Sequence, residues 1–326
     1  MRVNIVSVSK ETNFAAIDLG SNSFRLLAVS GLKVKWPPCR ILLDTCCQAR
    51  LAEELTTTDG ISPAARRRGL AACREFVRQL RELPAMPLRV CGTQALRQAV
   101  NSREFIQEAE EILSCRVEIL SSEQEAAYTL LGCQAGQKEG SRPLLLVDAG
   151  GGSTEIILSR RRQKPLIRSL PIGAVNLTER FFRAGINATS TAKMRIFLIE
   201  QIKPVFSELL SADLSKVRLA ASGGTANALA MLSLRLRDYQ TELIQGSRLT
   251  RDGLNKVMAR LMILNPRALR SIPGLGERGA IIPAGIMLLQ AVIDIAGQDL
   301  TVSTSGFLEG IVLSYGDDRA IAPCFL

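Results

Sequence analysis

Two segments of the chain answer each other. Phe14-Ala15-Ala16-Ile17-Asp18-Leu19-Gly20-Ser21-Asn22-Ser23-Phe24-Arg25-Leu26-Leu27 reads as an apolar strand, a polar glycine-containing turn and a second apolar strand. Leu144-Leu145-Leu146-Val147-Asp148-Ala149-Gly150-Gly151-Gly152-Ser153-Thr154-Glu155-Ile156-Ile157 is the same device. Aligned on the aspartates, Asp18 meets Asp148, Gly20 meets Gly150 and Ser23 meets Ser153, 130 residues apart. That period is the size of a domain. At 326 residues the chain also exceeds the usual reach of one hydrophobic core. It is expected to fold as duplicated α/β halves, each opening on a β-hairpin with a polar, glycine-rich turn.

Strands and helices alternate around these hairpins. Ser62-Pro63 starts a helix over 64–83, and 88–91 is a short buried strand leading into Gly92-Thr93. A helix over 102–113 precedes a strand at 117–120, and Ser121-Ser122 caps a helix beginning near Glu123. The second half predicts strands at 144–148, 154–159 and 217–221, with long helices at about 191–210 and 250–263. Ser222-Gly223-Gly224-Thr225 follows the last of these strands and opens a helix at about Ala226. Such alternation argues an α/β architecture. No Pro/Gly-rich linker separates the halves, so they are expected to share an interface and a cleft.

Composition narrows the chemistry. The chain has no histidine, which excludes His-based triads, phosphohistidine intermediates and His-ligated metal sites. Catalysis must run on carboxylates, hydroxyls, thiols, backbone amides and cations. Lys and Arg outnumber Asp and Glu by 41 to 31, which favours an anionic partner. Aromatics are only 4% of the residues, so a base-stacking surface for single strands is poorly supplied and nucleic acid is disfavoured. The eight cysteines, at 39, 46, 47, 73, 91, 115, 133 and 324, form no C-x-x-C pair. They read as buried, reduced thiols in a cytoplasmic protein. Met1-Arg2-Val3-Asn4 lacks the start of a signal peptide, and the apolar run 281–297 carries Pro283, Gln290 and Asp294. It reads as a buried helix, with no membrane partner.

Three loops carry candidate chemistry. In Asp18-Leu19-Gly20-Ser21-Asn22-Ser23, glycine lets the backbone approach a ligand while amides and hydroxyls face an anion. Asp18, at the strand end, is placed to hold a hydrated metal beside that anion. A plain hairpin turn explains the same residues when the loop is taken alone. Asp148-Ala149-Gly150-Gly151-Gly152-Ser153-Thr154-Glu155 is stronger, because three glycines between buried strands carry an entropic cost that a plain turn avoids. Asp148 and Glu155 can approach one cation there. Ser222-Gly223-Gly224, before a helix, adds free amides and a favourable dipole. Gly92-Thr93 ends a strand, and Arg97, one turn on, is either a bidentate phosphate clamp or a surface arginine. Glu123 and Glu125 are either a capping box or, if the helix start faces the cleft, a source of a general base. Arg66-Arg67-Arg68 and Arg160-Arg161-Arg162 are either solvated faces or a landing strip for a polyanion.

At this point the chain resembles the exopolyphosphatase and guanosine pentaphosphate phosphohydrolase family, of the actin-like phosphotransferase superfamily. The match runs from about Phe14 to Ile311. It includes the first and second phosphate loops, Gly92-Thr93-Gln94-Ala95-Leu96-Arg97, Pro171-Ile172-Gly173-Ala174-Val175, Ala221-Ser222-Gly223-Gly224-Thr225, Pro273-Gly274-Leu275 and Ser305-Gly306-Phe307-Leu308-Glu309-Gly310. The Ser-Asn-Ser first loop joined to the Gly-Gly-Gly-Ser-Thr-Glu second loop is the family's more specific mark. The resemblance implies two ribonuclease-H-like domains with the active site in the cleft between them. It implies the short, two-domain form, an N-terminal domain over 1–124 and a C-terminal domain over 125–303, with residues 304–326 packing back on the first. It implies magnesium, with manganese as a substitute, and a homodimer. The family's catalytic glutamate falls on Glu125; Gln124 and Ala127 stand where the family has Glu and Arg, and Leu308 where it commonly has Arg.

The expected reaction is magnesium-dependent release of the terminal phosphate of inorganic polyphosphate. Its alternative is 5′-phosphohydrolysis of guanosine pentaphosphate; a further one is an actin-like ATPase or kinase, or a non-catalytic sensor of these anions. In each hydrolytic reading Glu125 activates water. Gly20, Ser21, Asn22, Ser23, Thr93, Arg97, Gly150, Gly151, Gly152, Ser153, Thr154, Ser222, Gly223 and Gly224 hold phosphate. Asp148, Glu155 and Asp18 hold the metal.

Overall fold

A computed structural model describes residues 13–31, 40–135, 142–209, 216–315 and 324–325. The first half is built on β1 (Phe14–Leu19), antiparallel to β2 (Phe24–Ser30), which pairs in turn with β3 (Arg40–Cys47). After α1 (Leu55–Thr58) and α2 (Pro63–Leu80), β4 (Pro87–Gly92) lies parallel to β1 on its free side. Then α3 (Gln94–Gln98) and α4 (Ser102–Leu113) lead to β5 (Val117–Ile119), parallel to β4. The strand order is β3-β2-β1-β4-β5. Ser62 caps α2 by accepting from the Ala65 amide, and Pro63 fills the first turn. Its Ala65, Leu70, Cys73, Phe76, Val77 and Leu80 are buried on one stripe, as the helical spacing predicts.

The helix α5 (Ser122–Ala135) leads out of the first half, and the second repeats the scheme. β6 (Leu144–Ala149), β7 (Thr154–Ser159) and β8 (Leu166–Leu170) form an antiparallel meander. α6 (Ala174–Phe181) and α7 (Ala188–Leu209) return the chain to β9 (Arg218–Ser222), parallel to β6. α8 (Gly223–Leu234), α9 (Thr241–Ile244), β10 (Arg248–Leu249), α10 (Arg251–Met262), α11 (Pro266–Arg270) and α12 (Ile282–Ala296) precede β11 (Leu300–Val302), parallel to β9. The order β8-β7-β6-β9-β11 matches the first half strand for strand, with β10 added at the edge. Both halves therefore have the ribonuclease-H-like topology, and the 130-residue sequence period is its imprint.

α13 (Phe307–Ser314) returns to the first half, where Leu308, Ile311 and Val312 pack with Phe14, Ala16, Leu27 and Val29. β12 (Cys324–Phe325) pairs with β4 at Leu88 and Pro87. α5 serves both halves: Ala126, Leu130 and Cys133 pack on Leu144, Leu146 and Ile157, while Tyr128 packs with the cluster beneath α13. The expected boundary at 124/125 falls in its first turn. α5 and α13 cross at glycines. A Cβ on Gly310 would collide with the Tyr128 carbonyl, and one on Gly132 with the Gly306 carbonyl.

Two sequence expectations are corrected. α8 begins at Gly223, not at Ala226, because Gly223 takes a left-handed φ of +87° that joins strand and helix without a loop. The expected uniform burial of the thiols fails at Cys46, which is exposed, and at Cys47, which is half-buried; Cys73, Cys91, Cys115 and Cys133 are buried. Cys39, the Cys324 side chain and the start of the chain at Met1 lie outside the described residues. α12 is buried along nearly all its length, and among the described residues no helix is long and apolar enough to cross a membrane.

Candidate active site

The two hairpin turns face each other across a cleft of about 640 Å³. Each follows a buried central strand whose next-to-last residue is an aspartate, Asp18 on β1 and Asp148 on β6. Gly20 has no room for a side chain, since a Cβ would sit 2.7 Å from the Ser23 carbonyl oxygen. A Cβ on Gly151 would lie 3.0 Å from the Cβ of Asn22, so the turns of the two halves nearly touch. Gly20, Ser21, Asn22, Ser23 and Thr93 line the cleft from the first half. Gly150, Gly151, Gly152, Ser153, Gly223 and Gly224 line it from the second. The structure thus converges two turns and a helix start, all rich in backbone amides, on one space suited to an anion.

Glu125 enters that space from α5. The capping role is taken by its neighbour: Ser121 Oγ accepts from the Gln124 amide at 3.2 Å, and Gln124 Oε1 accepts from the Ser121 amide at 2.8 Å. A neutral glutamine therefore closes the helix end, Glu123 stays exposed, and Glu125 is free to face the cleft. Arg97 donates to Glu125 Oε2 at 3.0 Å and to the Leu120 carbonyl at 2.6 Å. Burial pushes the Glu125 carboxyl well above the usual carboxylate range; the paired Arg97 opposes the shift and the Asp148 charge adds to it.

Its acidic neighbours are displaced the same way. Asp18 is raised by burial and by Glu125, against the pull of Arg25, and its Oδ1 is buried without a hydrogen-bond partner. Asp148 is raised by burial, against the hydroxyls of Ser222 and Thr129, with the Thr129 hydroxyl donating to Oδ2 at 3.2 Å. Glu155 is raised by burial and by the charges of Glu125 and Asp148, while Ser169 donates to it at 2.8 Å. Four carboxyls share one low-dielectric region. Such a group either holds protons or takes up a cation. Among the described residues no three Cys, Asp or Glu side chains are grouped so as to hold a metal ion.

Not every predicted residue reaches the cleft. Thr154 is fully buried and its hydroxyl is spent on the Ile172 carbonyl at 2.6 Å, so it is not available to phosphate. Arg97, expected as a phosphate clamp, is engaged with Glu125 and the Leu120 carbonyl. Glu155 and Ser222, each 1% exposed, stand behind Asp148 on the strands flanking it. The sequence reading missed other cleft residues. Arg25 holds Asp44 in a two-bond fork of 2.9 and 2.7 Å and pairs with Glu309 at 2.8 Å. Arg278 spans the halves, donating to the Gly224 carbonyl at 3.1 Å and to Ser23 Oγ at 3.2 Å. Gln94 accepts from Ser21 Oγ at 3.1 Å and crowds Gly152, where any Cβ would collide with its carboxamide. Arg25 had a signal, because it occupies in the first repeat the place of Glu155 in the second. Arg278 lies three residues after the Pro273-Gly274-Leu275 match, but nothing in that spacing points it at the first half, and it reaches the cleft through the packing of the second half.

Comparison with known proteins fits this geometry. The model of the Ppx/GppA phosphatase family matches residues 32–318. A protein of Aeromonas hydrophila named guanosine-5′-triphosphate,3′-diphosphate pyrophosphatase is 31% identical over 92% of this chain and 58% of its own length. One of the same name from Vibrio parahaemolyticus is 30% identical over 94% and 59%. The chain thus spans less than two thirds of these curated relatives. The crystal structure of an exopolyphosphatase from Cytophaga hutchinsonii superposes with a TM-score of 0.82 at 22% identity, covering 94% of this chain and 98% of that one. With the paired aspartate turns, the glutamate between them and a family match over most of its length, the chain belongs to the Ppx/GppA phosphatase family.

Proposed function

We propose that the protein hydrolyses the terminal 5′ phosphoanhydride of guanosine pentaphosphate. The observation that carries the reaction class is Glu125, a half-buried carboxylate of raised pKa facing the space between two amide-lined turns. The charge of the cleft supports a nucleotide over a long polyanion. Its lining residues include two cations, Arg25 and Arg278, both already bonded to protein, against the acids Asp18, Asp44, Glu125 and Asp148. A few phosphates accompanied by a metal ion match that balance better than a chain of free anions. The names of the relatives at about 30% identity support the same substrate.

The donor set fits magnesium or manganese. Asp18 offers an unpaired oxygen, Asp148 and Glu155 stand opposite each other on paired strands, and a hydrated ion of this kind needs only one or two protein carboxylates beside the substrate oxygens. When bound, the metal neutralises charge on the transferring phosphoryl group. The rest is the work of the chain. The amides of the two turns seat the terminal phosphates, and Glu125 orients a water and takes its proton as the water oxygen bonds to phosphorus. The bridging P–O bond breaks, the shortened nucleotide leaves, and the proton departs with orthophosphate. Arg97 fixes the carboxylate that receives it.

Orthophosphate release is the test, from guanosine pentaphosphate and from long-chain polyphosphate, with and without magnesium, for wild type and Glu125→Gln. Magnesium-dependent release from the nucleotide, lowered about 10³-fold in the variant, is expected. Release from polyphosphate alone would overturn the substrate, and an active variant would overturn the base. Polyphosphate stands as the second reading because the chain carries a formal charge of +10. The first arginine run does little for it: Arg66 pairs with Glu104 and Glu108, and Arg68 with Glu53.

A further inference from the structure

A charged residue in the middle of a central strand is a costly choice, and β4 makes it. In Pro87-Leu88-Arg89-Val90-Cys91-Gly92, Leu88 and Val90 enter the core of the first half, while Arg89 and Cys91 point to the side covered by α5 and α13. Arg89 is 8% exposed. Its guanidinium reaches three elements. It forks onto Glu118 of β5 at 3.0 and 3.1 Å, donates to the Tyr128 hydroxyl of α5 at 2.9 Å and to Ser314 Oγ of α13 at 3.4 Å. It also lies 5.0 Å from the centre of the Tyr128 ring. Arg89 is buried but Glu118 is 36% exposed, and a pair desolvated at one end contributes little net stability. What it fixes is geometry.

The object fixed is α5. Glu125 and Thr129, one turn apart, share a face of that helix; the first faces the cleft and the second donates to Asp148. Tyr128 lies about 100° around from Thr129 and is the residue that Arg89 grips. The glycine crossing with α13 brings the two backbones into contact, and on that side Tyr128 also meets Phe307 of α13 edge to face, so the residue that Arg89 grips is the one that keys α5 against α13. We infer that Arg89 is a positioning residue that sets the roll of α5, and with it the placement of Glu125 against the Asp148 turn. The inference rests on the assignment of Glu125 as the base.

Four variants decide it: Arg89→Met, Arg89→Lys, Tyr128→Phe and Glu125→Gln, assayed for kcat and KM on guanosine pentaphosphate, with thermal midpoints measured in parallel. Arg89→Met is expected to lower kcat about 10²-fold with KM changed less than about threefold, because the phosphate turns stay in place while the base is displaced. Arg89→Lys restores part of kcat, since an ammonium reaches Tyr128 or Glu118 but cannot fork. Tyr128→Phe, which keeps the ring and removes one hydrogen bond, is expected to lower kcat about threefold to tenfold. Should Arg89→Met fail to fold, Tyr128→Phe carries the decision. A Tyr128→Phe enzyme with wild-type kcat, or a loss seen only in KM, overturns the inference. An active Glu125→Gln overturns the base assignment and the inference with it. An inactive one beside an unaffected Tyr128→Phe sinks the inference alone.

Discussion

The two hairpins occupy the same place in their halves and set opposite charges against their aspartates. On the first, Asp18 of β1 stands opposite Arg25 of β2. On the second, Asp148 of β6 stands opposite Glu155 of β7. Duplication gave both the same backbone, an amide-lined turn after a buried strand, but the seventh residue after each aspartate differs in sign. The first hairpin carries its own counter-charge, which it shares with Asp44 and Glu309. The second sets two acids side by side, the half-buried Asp148 and the buried Glu155. A single fold thus supplies one arm whose aspartate faces an arginine and one whose aspartate faces a second acid; on the proposed function, the second arm is the one that would take the metal.

The largest effect that sharpens this contrast is expected at Glu155. Glu155→Gln should lower turnover about 10²- to 10³-fold and abolish the response of activity to magnesium concentration. An enzyme that keeps its magnesium response would show that the second hairpin does not depend on the ion. Arg25→Met attacks the other arm. It strands Glu309 and Asp44 and is expected to cost about 3 kcal/mol of stability, read from urea denaturation midpoints. A variant as stable as wild type would mean that the first hairpin needs no internal counter-charge.

The pH dependence of stability is smaller and has a defined sign. Asp18, Asp148 and Glu155 all titrate above the usual carboxylate range when folded, because burial disfavours their charge. Between the ordinary and the raised pKa the folded protein therefore holds more protons than the unfolded chain, and stability falls as pH rises. Without divalent cation, the thermal midpoint should drop steadily from about pH 5 to about pH 8, and magnesium should restore it most at the upper end. Glu155→Gln should flatten that slope; an unchanged slope would place the strain elsewhere. The smallest effect separates the two turns themselves. Gly20→Ala meets a backbone carbonyl and should cost about 1–2 kcal/mol, whereas Gly152→Ala meets the Gln94 side chain, which can rotate, and should cost less. Paired denaturation curves check the order.

Much of the site was legible because it is local. Glycine turns, the aspartates before them and the strands around them lie within a few residues of one another, so a single chain segment states both conformation and chemistry. Thr154 shows the limit of that reading. It belongs to the second loop in sequence, but alternation along β7 turns its hydroxyl inward to Ile172. Gln124 shows another: the capping box belonged to it and not to either glutamate, a distinction of one residue that decides which carboxylate faces the cleft.

The sequence by itself determined that this chain is a duplicated α/β fold with two polar, glycine-rich turns and no histidine chemistry, since those features rest on short-range periodicity and composition. Only the tertiary structure decided which charges meet. Arg278 reaches Ser23 across 255 positions and Arg89 meets Ser314 across 225. Electrostatic partners are chosen by distance in space, and in a fold whose last helix returns to its first strand, that distance is not written along the chain.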